Sequence, residues 1–273
     1  MLKKINKIIF IIECLFQRQK HFPKERLNNF SKLLQAYWKI KNNNLSNQEK
    51  YIFSELENYR RELLISNIKI NYEFFGTSNT KKVSDIVKKA SSNEKWSKFY
   101  YLISQNISAN NILEIGTNVG ISGQYFLQSL IDNNEDGDKY FLSFEGEKDL
   151  CKIADERFEK IAQNKLDYEI IEGLFDNTLK KTLDKKQKKF DLVFIDGNHN
   201  FDATLNYFNI IKNHTNENSV FIFDDINWSK DMMRAWNLLK RNRSIAIDMH
   251  KIGILIFSDK ITKNQMIKLY LGF

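Results

Sequence analysis

Three aspartates in this 273-residue chain stand where chemistry could be done. Asp196 ends the apolar run at 192–195, and the pair Asp224 and Asp225 ends the run at 220–223. If both runs are strands of one parallel sheet, the three carboxylates converge on its carboxyl edge, where such sheets bind ligands. Like charges that close repel, so the trio has to be offset by protonation, by a cation or by a basic group of a substrate. His199 lies three residues beyond Asp196. An imidazole titrates near neutrality and suits a general base that takes the proton of a hydroxyl or amine, although a histidine in such a loop can equally serve a local hydrogen bond.

A second constellation precedes these acids. Residues 111–123 read NILEIGTNVGISG: an apolar strand carrying Glu114, then Gly116 and Gly120, then the start of a helix. Glycines at such a turn let the backbone approach a ligand, and a new helix presents unpaired N–H groups there. The spacing is G-x-x-x-G rather than the G-x-G-x-x-G of dinucleotide folds, and a tight turn needs no ligand at all. The next strand ends Leu142-Ser143-Phe144-Glu145. Its terminal carboxylate can accept both ribose hydroxyls of a nucleoside. Glu147 lies beyond the strand end and reads as solvated. The third strand leads into 172–176 (EGLFD), where Gly173 permits a sharp turn and Phe175 can line an adenine pocket.

The elements that must position these residues follow from texture. From Asn111 onward, short apolar runs at 112–115, 140–144, 168–171, 192–195 and 220–223 alternate with helical stretches of ten or more residues, the pattern of a helix-covered parallel sheet. Two further runs, 245–248 and 254–257, are too close for a crossover helix and predict an antiparallel hairpin. The expectation is an α/β, doubly wound, Rossmann-like sheet of seven strands with an antiparallel edge hairpin. Before it, apolar residues such as Phe30, Leu33, Leu34, Tyr37 and Trp38 recur at helical spacing, with Pro23 the one proline. Breaks are expected at 41–46 (KNNNLS) and around 76–80, with helices at 49–65, 83–90 and 96–107. Trp228, Met232, Met233 and Trp236 fall mostly on one helix face behind an N-cap at Ser229, a stripe that suits core packing. Trp228, in the loop after the acids, could instead wall a pocket.

Composition sets the limits. At 42% apolar content the chain can bury one substantial core with an appendage. Its net charge of +8 is lopsided, with 20 Lys+Arg against 9 Asp+Glu in residues 1–108 and 22 against 25 thereafter. The lysines are interspersed with Asn, Ile and Glu rather than clustered with aromatics, which favours a solvated helical surface over a nucleic-acid interface. Cys14 and Cys151 are far apart and lack metal-ligand spacing, which argues against a disulfide framework or zinc site and fits a reducing cytoplasm. The N-terminal run 8–16 follows two lysines but is too short to span a bilayer and lacks a small-residue cleavage site, so an amphipathic helix is expected in place of a signal peptide.

With EIGTNVGIS, Glu145, FDLVFIDGNHNF and VFIFDDINWS in view, the chain resembles class I S-adenosylmethionine-dependent methyltransferases. Within them it is similar to small-molecule O-methyltransferases, especially a bacterial branch with GNH and DDI-x-W-S segments. The resemblance covers about residues 62–273, and residues 1–60 carry no matching motif. It implies a helical N-terminal region at 1–108, a methyltransferase domain at 109–273, and S-adenosyl-L-methionine held by Glu114, Gly116, Thr117, Gly120, Ser122, Glu145, Gly173, Phe175 and Asp196. In metal-dependent relatives, an acid after strand four and an acidic or amide pair after strand five bind a divalent cation, which implies magnesium on Asp196, Asp224 and Asp225. Catechol-type enzymes carry lysine where this chain has His199, so Asp196 and His199 become the catalytic candidates. The implied activity is in-line methyl transfer to a small-molecule acceptor, with hydroxyl oxygen favoured. The N-terminal helices would act as a lid or in homodimerisation. The competing classes are an NAD-dependent oxidoreductase and a noncatalytic interaction protein on a degenerate core.

Overall fold

The computed structural model describes residues 2–17, 28–72, 79–133, 137–242 and 244–272. The N-terminal region contains α1 (Leu2–Gln17), α2 (Asn28–Lys41), α3 (Asn47–Leu64), the strands β1 (Lys69–Tyr72) and β2 (Asn79–Lys82), α4 (Val83–Ala90) and α5 (Glu94–Ile107). Five βα units follow: β3 (Asn111–Ile115) with α6 (Ile121–Asp132), β4 (Tyr140–Glu145) with α7 (Lys148–Ala162), β5 (Asp167–Glu172) with α8 (Phe175–Lys186), β6 (Phe190–Ile195) with α9 (Phe201–Lys212), and β7 (Thr215–Phe223) with α10 (Lys230–Leu239). The chain then adds β8 (Ile245–Asp248), β9 (Gly253–Ile256) and β10 (Gln265–Lys268).

The break predicted at 41–46 separates α2 from α3, where Ser46 and Glu49 form a reciprocal capping box. Of the break predicted around 76–80, residues 76–78 lie outside the described residues, as does Pro23. The remaining segment belongs to an unpredicted feature, the antiparallel pair β1–β2.

One sheet carries the order β10-β8-β9-β7-β6-β3-β4-β5. Strands β5, β4, β3, β6 and β7 are mutually parallel, and β9 runs antiparallel between β7 and β8. Strand alternation explains the layers. Ile112, Phe141, Leu192, Phe194, Val220 and Ile222 face α2, α5, α6 and α7. Their neighbours Leu113, Leu142, Val193, Phe221 and Phe223 face α8, α9 and α10. Burial on both faces is why these strands read as continuous apolar runs.

The sheet has eight strands rather than the seven expected, and the predicted hairpin is not at its edge. β10 pairs in parallel with β8, placing Ile267 opposite Ile247, and so forms the edge itself. The reason is visible in burial: every residue of β8 and β9 is buried, whereas β10 is only partly covered.

The N-terminal helices are not a detached lid. Phe30, Leu33, Tyr37, Phe53, Phe99 and Tyr100 share one core with the sheet. A buried polar network locks α3 onto α6. The Tyr125 hydroxyl donates to Glu57 Oε1 at 2.7 Å, Arg60 Nε donates to Glu57 Oε2 at 2.9 Å, and Gln124 Nε2 donates to the Leu56 carbonyl at 3.1 Å. Arg60 thereby pairs the Glu57 carboxylate, whose burial would otherwise be costly. On α1, Phe10 and Cys14 turn inward while Ile8, Ile9, Ile12 and Leu15 are exposed, as an amphipathic helix on the surface requires. Among the described residues no helix is long and apolar enough to cross a membrane, and both cysteines are free and buried.

Candidate active site

The order of strands reverses between β3 and β6, and the crevice outside such a switch point is where an open α/β sheet binds ligands. The loops there are unusually strained. Asn118, Asn198, His199, Asp225 and His250 all adopt positive φ without being glycine, and all follow the carboxyl ends of β3, β6, β7 or β8. Such backbone persists where the surroundings over-determine it, most often at functional sites.

Gly116, at φ 95°, closes the contact between the first and fourth units. A Cβ there would stand 1.9 Å from the Asp196 carbonyl oxygen, so only glycine lets these loops meet. Gly120, at φ 78°, begins α6 in the left-handed conformation. Between them the loop satisfies its own amides. The N–H groups of Gly116 and Thr117 donate to the Phe144 carbonyl, that of Asn118 to Glu145 Oε2, that of Val119 to its neighbour Asn118 Oδ1, and that of Gly120 to the Thr117 carbonyl. The Tyr59 hydroxyl donates to the Val119 carbonyl at 2.8 Å, and Asn118 Nδ2 reaches the Ala90 carbonyl, so α3 and α4 brace this turn. Five consecutive amides without a free donor make a poor pyrophosphate cradle, which a dinucleotide would need.

Glu145 ends β4 beside that loop. Its Oε2 accepts the Asn118 N–H at 2.7 Å and its Oε1 accepts the Glu147 N–H at 2.9 Å. Burial pushes its carboxyl up, and the backbone N–H groups of Glu147, Asn118 and Gly146 pull it back. A carboxylate offers about four acceptor sites, and with one backbone donor on each oxygen Glu145 keeps capacity for further donors. Gly173 donates its N–H to the Glu145 carbonyl, and Phe175 packs edge-on against Tyr207, with its ring close under Gly197. Gly173 and Phe175 therefore flank the same crevice as Glu145.

Three other expected cofactor residues sit deeper. Glu114 is fully buried, its Oε1 accepting from the Ser122 hydroxyl at 2.6 Å and its Oε2 from the Ser143 hydroxyl at 2.7 Å, and Thr117 Oγ1 meets Ser143 Oγ at 2.5 Å. Burial raises the Glu114 carboxyl to about 8, against the opposing pull of the two serines. Glu114, Thr117 and Ser122 thus form a polar support beneath the glycine turn, because even positions of β3 point into the α6 layer. Glu147, expected in solvent, is buried at the start of α7.

At the ends of β6 and β7, His199 Nε2 lies 3.4 Å from Asp196 Oδ1. Burial lowers the imidazole pKa, but the Asp196 carboxylate, with Asp225 and Asp224 behind it, outweighs that and leaves His199 raised. Asp224 is buried. Burial and Asp196 push its carboxyl up, and the ammonium of Lys251 pulls the other way. Lys251 is the residue of this cluster that the sequence did not single out. Its Nζ stands 2.6 and 2.7 Å from the two Asp224 oxygens and 3.0 Å from Asp225 Oδ1. The signal that could have found it was the unbalanced charge of the trio, for which Lys251 sits in the short β8–β9 connection.

A hard divalent cation takes about six oxygen ligands. Here Asp224 spends both oxygens and Asp225 one on Lys251, while Asp196 faces His199, and no metal-holding group of acids, histidines and cysteines occurs among the described residues. The expected set of Asp196, Asp224 and Asp225 comes together in space but does not fit a metal as arranged. Behind it, Ser229 caps α10 and Met232 and Trp236 are core residues, whereas Trp228 is 63% exposed at the lip and Met233 is also exposed.

Compared with known families, residues 113–226 match a model described as a methyltransferase domain. That segment of the chain is similar to methyltransferase domains. Its fold is shared by solved structures of methyltransferases. An O-methyltransferase from Bacillus cereus in complex with SAH aligns with a TM-score of 0.52 at 23% identity, covering 62% of this chain and 83% of that one. An O-methyltransferase from Streptomyces achromogenes involved in tomaymycin synthesis, in complex with SAM, gives 0.51 at 20%, covering 62% and 82%. The SAH-bound methyltransferase from Podospora anserina gives 0.52 at 17%, covering 76% and 88%. No protein of curated function matches the chain. The matched segment begins inside β3 and ends just past Asp225, so it contains Gly116, Gly120, Glu145, Gly173, Phe175, Asp196, His199, Asp224 and Asp225 but not Trp228, His250 or Lys251.

Proposed function

We propose that this chain transfers the methyl group of S-adenosyl-L-methionine to a hydroxyl oxygen of a small molecule. The observation that carries the reading is the pairing of a glycine turn whose amides are already spent with the open acceptor sites of Glu145, a combination suited to a nucleoside without phosphate. When bound, the sulfonium supplies an electrophilic methyl group.

The chain's own residues do the rest. Glu145 accepts the two ribose hydroxyls, Gly116 allows close approach of the backbone, and Gly173 and Phe175 flank the base. Across the crevice, Asp196 fixes His199 with Nε2–H directed at its carboxylate and stabilises the imidazolium that forms. His199 Nδ1 is then the nitrogen that takes the acceptor's hydroxyl proton. Trp228 at the lip provides an apolar wall for the acceptor. Holding the nucleophile in line is worth more than the proton transfer, so loss of His199 slows rather than abolishes reaction.

The test is mass-spectrometric detection of S-adenosylhomocysteine and methylated product over a panel of hydroxylated small molecules. Turnover of some member, reduced about 100-fold or more in His199→Ala, is expected. Turnover unchanged by that substitution would remove His199 as the base.

A further inference from the structure

The acid cluster needs a cation, and the structure provides one from the chain. Lys251 is held by its backbone, its carbonyl accepting the Ile226 N–H and its N–H donating to the Met249 carbonyl, while Asn227 Nδ2 donates to the His250 carbonyl. The β8–β9 connection is thereby stitched to the loop carrying Asp224 and Asp225. An ammonium has three protons, and Lys251 directs them at three carboxylate oxygens. Asp224 Oδ1 additionally accepts the Asp225 N–H at 2.8 Å. Asp225 is held at φ 51° in this arrangement.

We propose that the Lys251 ammonium is a built-in replacement for a divalent cation, which balances Asp224 and Asp225, fixes the strained Asp225 loop beside the Asp196–His199 pair, and makes the site metal-independent. A metal ion cannot share these oxygens with the ammonium, because the two positive charges would stand at contact distance. With all three protons committed, Lys251 does not touch the acceptor; it is a positioning residue. An acceptor in this site is therefore held by hydrogen bonds and apolar contacts rather than by chelation. The activity readout rests on the methyl-transfer reading, whereas the metal-binding readout stands without it.

The experiment titrates the purified full chain with Mn²⁺, followed by electron paramagnetic resonance, for the wild type, Lys251→Met and the double variant Lys251→Met with Asp224→Asn. The wild type is expected to bind Mn²⁺ weakly and nonspecifically. Lys251→Met should bind one ion about tenfold or more tightly than wild type, and the double variant should lose that gain. Methyl transfer by the wild type should be unaffected by chelator, and transfer by Lys251→Met should recover on adding Mn²⁺. One tight Mn²⁺ on the wild type, lost on Asp224→Asn, would overturn the proposal. So would a Lys251→Met variant, folded by circular dichroism, whose affinity is unchanged. Should Lys251→Met not fold, the comparison of wild type with Asp224→Asn still decides, and Lys251→Arg, which keeps the charge, should bind no more Mn²⁺ than wild type.

Discussion

Replacing Glu145 by alanine removes the carboxylate to which the proposed function assigns the ribose hydroxyls. Two ribose hydroxyls donating to an ionised acceptor contribute roughly 1.5–3 kcal/mol each, part of which water recovers in the variant. A net loss of about 3 kcal/mol corresponds to roughly a 100-fold fall in affinity for S-adenosylhomocysteine. The same carboxylate also holds the N–H groups of Asn118 and Glu147 at 2.7 and 2.9 Å, so the loop loses two partners. Glu145 is only half-buried, and water can satisfy those donors in part, which limits the stability cost to about 1–2 kcal/mol and the melting shift to a few degrees. Calorimetric titration gives the affinity, and thermal unfolding gives the control. An affinity within about threefold of wild type, with the fold intact, would refute the assignment of Glu145 to the ribose.

Asp196→Asn removes the carboxylate that raises His199. A general base works in its neutral form, so wild-type activity is lost as pH falls through a pKa above the ordinary histidine value. Without Asp196 only the carboxylates of Asp225 and Asp224 oppose the lowering by burial, and the acid limb of the kcat/KM profile should move to lower pH while its plateau falls. Gly116→Ala would place a methyl group 1.9 Å from the Asp196 carbonyl oxygen, so the two loops must part by about 1 Å or more, and both melting temperature and nucleoside affinity should drop together. Glu114→Gln should be nearly neutral at pH 6. Because burial raises the folded carboxyl from 4.5 to about 8, wild-type stability declines as pH rises across that window, and the neutral amide should flatten the decline by on the order of a few kcal/mol in urea unfolding at pH 6 and 8.5.

The five βα units were readable because each strand is buried on both faces and separated from the next by a full helix, so hydrophobic runs and their spacing carry the topology. Gly116, Gly120 and Glu145 were readable because backbone conformation and strand ends leave a mark on residue type. What escaped has a common cause, dependence on tertiary contact. The β1–β2 pair is short and lysine-rich, and Ile70, its one residue in a hydrophobic cluster, is too little for KINY or NTKK to announce a strand. Residues 265–268 become β10 only through the partner offered by β8, and nothing local specifies that β9 inserts between β7 and β8. Glu114 looked like a ligand-facing acid because its position in the strand is legible but the face it points to depends on α6. Lys251 sits in no motif. Its role follows only from the meeting of two loops 26 and 27 residues apart in sequence.

The most direct test of the account is calorimetric titration of the full chain with S-adenosylhomocysteine and, in parallel, with NAD. A glycine turn with spent amides beside an open carboxylate predicts one-to-one binding of S-adenosylhomocysteine and none of NAD. Binding of NAD without S-adenosylhomocysteine would contradict it.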